Sequence, residues 1–232
     1  MPIMSDISRV IQALRRLPQF ESLAEYIQRT IAEAAFHRHF ESGQVIYVEG
    51  EPAQWIYILE TGWIKATRMT RQGREQAMMF LRPTEVFGDI AILAGVPYPG
   101  TVVALESVDV WVIPGQVILD LIQRQPTVAT AVIHHLARRV LHYISLVEDL
   151  SLRSVEARLA HTLLLHAEIQ DGRLIVPRRD WTTFDEMAIR LGTVRDVLSR
   201  SLKMLEAENL LKVEKQHIVL LDPDGLAERA NY

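Results

Sequence analysis

The sequence predicts an α+β chain in three parts: a β-rich N-terminal domain with leading helices (residues 1–114), a long helix (residues 115–150) and a compact C-terminal domain (residues 154–232). Three observations lead there. Between Phe36 and Pro114 short β-rich runs (VIYVEG, WIYILETGWIKATRM, QAMMFL, TVVAL, DVWVI) alternate with glycine-bearing turns, the texture of an antiparallel sandwich or barrel. After Gly115 the turns cease and apolar residues recur at alternating steps of four and three. Beyond Ser154 two helix starts flank Gly192, and a hairpin pattern follows.

Composition narrows the function classes. The 232 residues are 49% hydrophobic and 23% charged with a formal net charge of -4, a globular profile for one large or two modest domains. Cysteine is absent, which excludes disulfides, thiolate zinc sites, cysteine-ligated iron–sulfur clusters and thiol redox switches. No apolar run approaches the roughly 20 residues that span a bilayer. The N-terminus, MPIMSDISRVIQALRRLPQF, is amphipathic and lacks a signal peptide's apolar core and cleavage site, so the cytoplasm is the expected compartment. The mild acidity does not point to nucleic acid, but a chain-wide charge can conceal a local basic face.

Taken in order, Asp6 to about Ala35 has helical periodicity, interrupted at Pro18. The β-rich stretch follows. On the long helix Ala129, Ile133, Leu136, Val140, Tyr143, Val147 and Leu150 form a heptad seam, the pattern that pairs two helices. A core helix docked on its own domain is the plainer alternative, and the length and regularity favour a dimer seam. Ser154 can cap a helix running through VEARLAHTLLLHAEI, and Gly172 closes that region. Thr183-x-x-Glu186 fits a capping box for a helix through Met187, Ala188 and Leu191, which Gly192 breaks. Thr193-x-x-Asp196 fits a second box, opening a helix through Leu198, Leu202 and Leu205. Helix, short glycine turn and helix is the helix-turn-helix signature. Residues 210–214 and 217–221, separated by Lys215 and Gln216, complete it with a hairpin wing.

The second of these helices carries DNA-reading chemistry. Arg195, Asp196, Ser199 and Arg200 fall in its first two turns, with Arg195 above Ser199 and Asp196 above Arg200. An arginine can donate twice to guanine O6 and N7, and a carboxylate can accept from cytosine N4. Ser199 can reach a base or a phosphate, while Arg190 and Lys203 suit phosphates. Thr193 stands at the helix start. The bland alternative is a solvated helix with ordinary charge pairs. The caps, the turn and the wing together favour DNA.

A loop poses the opposite problem. FGDIAILAGVPYPGTVVAL (residues 87–105) has the glycines of a phosphate cradle, yet no Lys, Arg or His lies between Arg82 and Arg124.

Nearly the whole chain resembles the Crp/Fnr (cyclic-AMP receptor protein and fumarate–nitrate regulator) transcription factors. The likeness lies in SGQVIYVEGEPAQWIYILETGWIKATRMTRQGRE, EVFGDIAIL, TVVALESVDVWVI and MAIRLGTVRDVLSRSLKMLEAENLL, with Thr84 where a glycine is usual. The resemblance implies a double-stranded β-helix (jelly-roll) sensor barrel, a dimerisation helix and a C-terminal winged helix-turn-helix. It also implies a homodimer on a two-fold symmetric operator, with RNA polymerase as a protein partner. Carried over, Arg195, Asp196, Ser199 and Arg200 are base-reading positions, with Asp196 standing where glutamate is common.

The same resemblance explains the loop. Cyclic-nucleotide members carry FGE for the ribose hydroxyl and an arginine followed by Ser or Thr for the cyclic phosphate. Here FGE is FGD at Asp89, and the arginine register falls near Tyr98, between Pro97 and Pro99. A Thr–Ser pair that meets adenine aligns with Tyr143 and Ile144. The candidate effector pocket is therefore Gly88, Asp89, Tyr98, Gly100, Thr101 and Tyr143, without cyclic-AMP chemistry unless Lys65 or Arg138 supplies a cation.

No cofactor and no metal site are expected. Some family members are haem-based gas sensors, and His134, His135 and His142 on the long helix keep haem as an option, although histidines seven apart more often mark a solvated face. His37 and His39 read as strand-edge residues. A neutral molecule between Tyr98, Val102 and Tyr143, or no effector at all, are the other options. A ligand-binding module whose helix-turn-helix contacts a protein is the alternative outside DNA binding. No enzyme is expected, since no nucleophile elbow, Walker loop, HExxH or paired-carboxylate arrangement occurs.

Overall fold

The computed structural model describes residues 4–18, 20–69, 75–178 and 183–231 and divides into two compact units, Met1–Leu141 and His142–Tyr232. The first unit opens with α1 (Met4–Arg15) and α2 (Glu25–Ala34), and Pro18 lies between them. Its strands are β1 (Phe36–Phe40), β2 (Val45–Tyr47), β3 (Trp55–Thr61), β4 (Ile64–Met69), β5 (Glu75–Leu81) and β6 (Val86–Phe87). After the short helix α3 (Asp89–Ala94) come β7 (Thr101–Ala104), β8 (Val108–Pro114), α4 (Gly115–Arg124) and α5 (Pro126–Leu152), which runs on into the second unit.

The strands form two antiparallel four-stranded sheets, ordered β1-β8-β3-β6 and β2-β7-β4-β5. They are not closed into the barrel the sequence led us to expect. Each sheet keeps its own edges, which only long-range pairing decides. Alternation shows how they pack. Tyr57, Leu59, Val110 and Val112 point inward to a core shared with Ile64, Leu81 and Val102 of the other sheet. Ile56, Ile58, Trp111 and Ile113 point the other way, against Ile27, Ile31, Ile118 and Val128 of the helices. β3 and β8 are thus buried on both faces, which is why WIYIL reads as a continuous apolar run.

The long helix expected over residues 115–150 is instead two. Gln125 is extended (φ -132, ψ 98) and ends α4, because the ring of Pro126 disfavours helical backbone before it.

The second unit contains α6 (Val155–Leu165), β9 (Glu168–Gln170), β10 (Arg173–Pro177), α7 (Phe184–Arg190), α8 (Arg195–Ala207), β11 (Leu211–Val213), β12 (His217–Leu220) and α9 (Pro223–Ala230). Ser154 caps α6 by accepting from Ala157 N–H at 3.1 Å, as expected. Thr183 caps α7, accepting from Glu186 N–H at 3.2 Å. The box at Thr193 is not formed. α8 starts one residue later, with Val194 at its N-cap and no side-chain cap. The wing is β11–β12, part of a sheet ordered β11-β12-β10-β9. The hairpin β9–β10 and helix α9 were not anticipated, although Asp171-Gly172, both with positive φ (50 and 74), and the cap Asp222 before Pro223 are their local signals. Leu159, Leu163, Leu198, Leu202, Leu205, Ile218 and Leu226 form the core.

Candidate nucleic-acid interface and effector pocket

α8 separates its two faces cleanly. Leu198, Leu202 and Leu205 are at most 2% exposed, while Arg195, Asp196, Arg200 and Lys203 lie open to solvent and Ser199 is half-buried. Three cations against one carboxylate make this a local basic face on an acidic chain. Arg195 Nη1 lies 3.1 Å from Asp185 Oδ2, and Arg200 Nε donates to the carbonyl of Asp196 at 3.4 Å. Arg190 differs from the rest: it is half-buried, and burial lowers its pKa, so it is less open to a phosphate than the sequence led us to expect. Thr193 is half-buried before the helix start, and Val194 at the cap is 57% exposed.

In the first unit, the loop's glycines answer to backbone packing. Gly88 has φ +78, and a Cβ there would lie 2.8 Å from the Trp55 carbonyl. A Cβ at Gly100 would lie 2.8 Å from the Thr67 carbonyl. These glycines let chain segments cross closely, with or without a ligand. Thr101 is engaged too, its hydroxyl accepting from Glu49 N–H at 3.1 Å.

Tyr98, at the arginine register, is only 3% exposed. Its ring stacks on Tyr47 (centroids 3.8 Å apart, planes at 12°), and Tyr57 stacks in turn on Phe87 (4.8 Å). The phenol donates to the Trp55 carbonyl at 2.9 Å and accepts from Trp55 N–H at 3.1 Å. Burial raises the pKa of both Tyr47 and Tyr57 far above the usual phenol range. Tyr98 and Val102 therefore belong to the core of the first unit. A cleft of about 540 Å³ opens elsewhere, beside Ala53, Ile92, Pro97 and Gln116.

Asp89 is 5% exposed and fully engaged. Arg139 Nη1 donates to Oδ1 at 2.9 Å and to Oδ2 at 3.0 Å, and His135 Nε2 lies 3.1 Å from Oδ2. Burial alone would raise this carboxyl's pKa; the hydrogen bond from His135 and the charge of Arg139 outweigh it, and the net shift is downward. Arg139 also places Nη2 3.2 Å from Met79 Sδ. Arg139 is thus a cation held beside the loop, next to Arg138, which is exposed. Its signal was local. Val128, Ala131, His135 and Arg139 share one face of α5, and the first two are buried.

The residues of the expected seam lie along the same helix. Ile133 (62%), Val140 (55%) and Val147 (61%) are exposed apolar residues one heptad apart, Leu136 and Tyr143 are half-buried, and the side chain of Leu150 lies outside the described residues, as does that of His142. Of the other histidines, His37 and His39 both lie against Asp109 Oδ1, at 3.2 and 2.9 Å. The hydrogen bond to Asp109 raises the His39 pKa. No group of three or more His, Asp or Glu among the described residues is arranged to hold a metal, and no helix among them is long and apolar enough to cross a membrane.

Comparison with known proteins follows this division. Residues 37–125 match the cyclic nucleotide-binding domain and residues 157–229 the Crp-like helix-turn-helix domain. A CRP-like cAMP-activated global transcriptional regulator of Mycobacterium tuberculosis is 25% identical over 194 residues, covering 82% of this chain and 86% of the relative. A global nitrogen regulator of Synechococcus elongatus is 26% identical over 198 residues, covering 82% and 87%. The solved structure of FixK2 from Bradyrhizobium japonicum shares the fold, with a TM-score of 0.72 at 21% identity over 84% of this chain and 96% of that one. With a cyclic nucleotide-binding-like domain and a DNA-binding helix-turn-helix joined by a long helix, the chain belongs to the Crp/Fnr family of transcription regulators.

Proposed function

We propose that this regulator is a homodimer that reads a two-fold symmetric DNA site with α8 and does not answer to cyclic AMP. The observation that carries the reading is the state of Asp89: Arg139 and His135 already engage both oxygens that a ribose hydroxyl would need. Tyr98, buried against Tyr47, takes the place of the arginine that would meet the cyclic phosphate. A buried phosphate monoanion without a matched cation is strongly disfavoured. Arg139 does not supply that match, since Asp89 neutralises it.

The exposed stripe Ile133, Val140 and Val147 supports pairing with a second copy through α5. Arg195, Asp196, Ser199 and Arg200 are the base readers, and Lys203 is a phosphate contact. RNA polymerase is the protein partner that a transcription regulator of this kind would address. The test is selection of duplexes from a random pool by the purified, ligand-free protein. Recovery of a symmetric site is the expected result. Recovery of nothing until a cyclic nucleotide is added would overturn the reading.

A further inference from the structure

The recognition helix does not hold its first arginine as a free chain. Arg195, the first residue of α8, reaches Asp185 in the first turn of α7, Nη1 to Oδ2 at 3.1 Å. Both side chains are open to solvent, 61% and 59% exposed, so the pair contributes little to folding stability. Its consequence lies in geometry and charge. The backbone around Asp185 is held by the Thr183 cap, whose hydroxyl accepts from Glu186 N–H. A carboxylate on a capped helix end thus grips one corner of the guanidinium. The Nε and Nη2 groups make no hydrogen bond among the described residues, and they form an edge able to donate twice to guanine O6 and N7.

We propose that Asp185 is a positioning residue for base reading: it holds Arg195 with its Nε–Nη2 edge free, and it penalises DNA that offers that edge no base acceptor. The inference rests on the reading of Arg195 as a base contact. Two physical effects act together. An unrestrained arginine loses rotamer freedom when it docks on a base, and one already held by Asp185 has less to lose. On non-cognate DNA, Arg195 would turn to a phosphate and leave Asp185 facing the backbone unpaired, a like-charge contact that weakens binding there. Asp185 therefore acts on discrimination more than on affinity. The carboxylate of Asp196, exposed on the same helix, is not gripping Arg195, so the effect belongs to Asp185.

The experiment is a double-mutant cycle on the full chain, with dissociation constants measured on the selected operator and on a random duplex at several salt concentrations. Asp185→Asn, nearly isosteric and exposed, should leave the melting temperature unchanged. It should tighten random-duplex binding and narrow the operator-to-random ratio by roughly three- to tenfold. In an Arg195→Ala background the same substitution should leave the ratio where Arg195→Ala put it. A ratio unmoved by Asp185→Asn, or moved equally in both backgrounds, overturns the proposal while leaving Arg195 as a base reader. If Arg195→Ala itself leaves the ratio unchanged, the reading of Arg195 falls, and the role of Asp185 with it.

Discussion

Beside the glycine loop of the first unit, Arg139 is largely sheltered, its side chain 14% exposed, and clamps Asp89. In the helix-turn-helix, Arg195 is 61% exposed and tied to a surface carboxylate. Both regions have the backbone of a site for a phosphate-bearing ligand, glycine loop in one and helix N-terminus in the other. They differ in whether the charge is already neutralised in low dielectric. A buried, doubly bonded pair resists exchange for an outside anion, whereas an exposed pair exchanges at little cost. On the function proposed above, the same chemistry of arginine and aspartate closes one site and leaves the other open.

The contrast can be broken from either side. The largest effect should come from Val140→Glu, which sets like charges along the exposed stripe of α5. Sedimentation should show monomers, and operator affinity should fall by about a hundredfold or more as avidity is lost. In the proposed dimer, two recognition helices about 34 Å apart would then no longer act together.

Next, Asp89→Ala removes the buried carboxylate that Arg139 and His135 share, and should cost about 3–5 kcal/mol in denaturant unfolding. The same pair fixes a pH dependence. Because the Asp89 carboxyl is held below the ordinary 3.8, its contribution is present above that value and is lost as the pH falls through the lower folded value. Wild-type stability should drop in that acid range, and the variant should drop less steeply there.

Arg195→Ala and Arg200→Ala should each cost about 1–3 kcal/mol on the operator and relax base choice at one position per half-site, readable by binding to single-substituted duplexes. Equal losses on operator and random DNA would make them phosphate contacts. Two small gains complete the series. Val194→Ser gives α8 the side-chain cap it lacks and should stabilise the second unit by about 1 kcal/mol in thermal unfolding. Thr84 keeps a left-handed backbone (φ 71) without being glycine, so Thr84→Gly should relieve about 1 kcal/mol of strain in the first unit.

Much of the fold is legible in the sequence, for local reasons. Helix periods, caps at Ser154 and Thr183, the glycine turn and the wing are short-range signals. What sequence reasoning missed is tertiary. Whether eight strands close or stay as two sheets depends on pairings such as β3 with β8, far apart in the chain. The partner of Asp89 comes from a helix 50 residues on, and only packing selects Arg139 over Arg138. Val194 displaced Thr193 as the cap by one residue, the scale on which helix ends are poorly fixed by pattern.

On the proposed function, one site is closed by its own side chains while the other works without it. The most direct measurement is operator affinity of the purified protein with and without cyclic AMP, alongside calorimetric titration of the nucleotide. We expect full operator binding by the ligand-free protein and no heat or affinity change with cyclic AMP at cellular concentrations. Micromolar nucleotide binding that tightens the operator complex would contradict the account, because it would show that Asp89 and Tyr98 yield to the ligand.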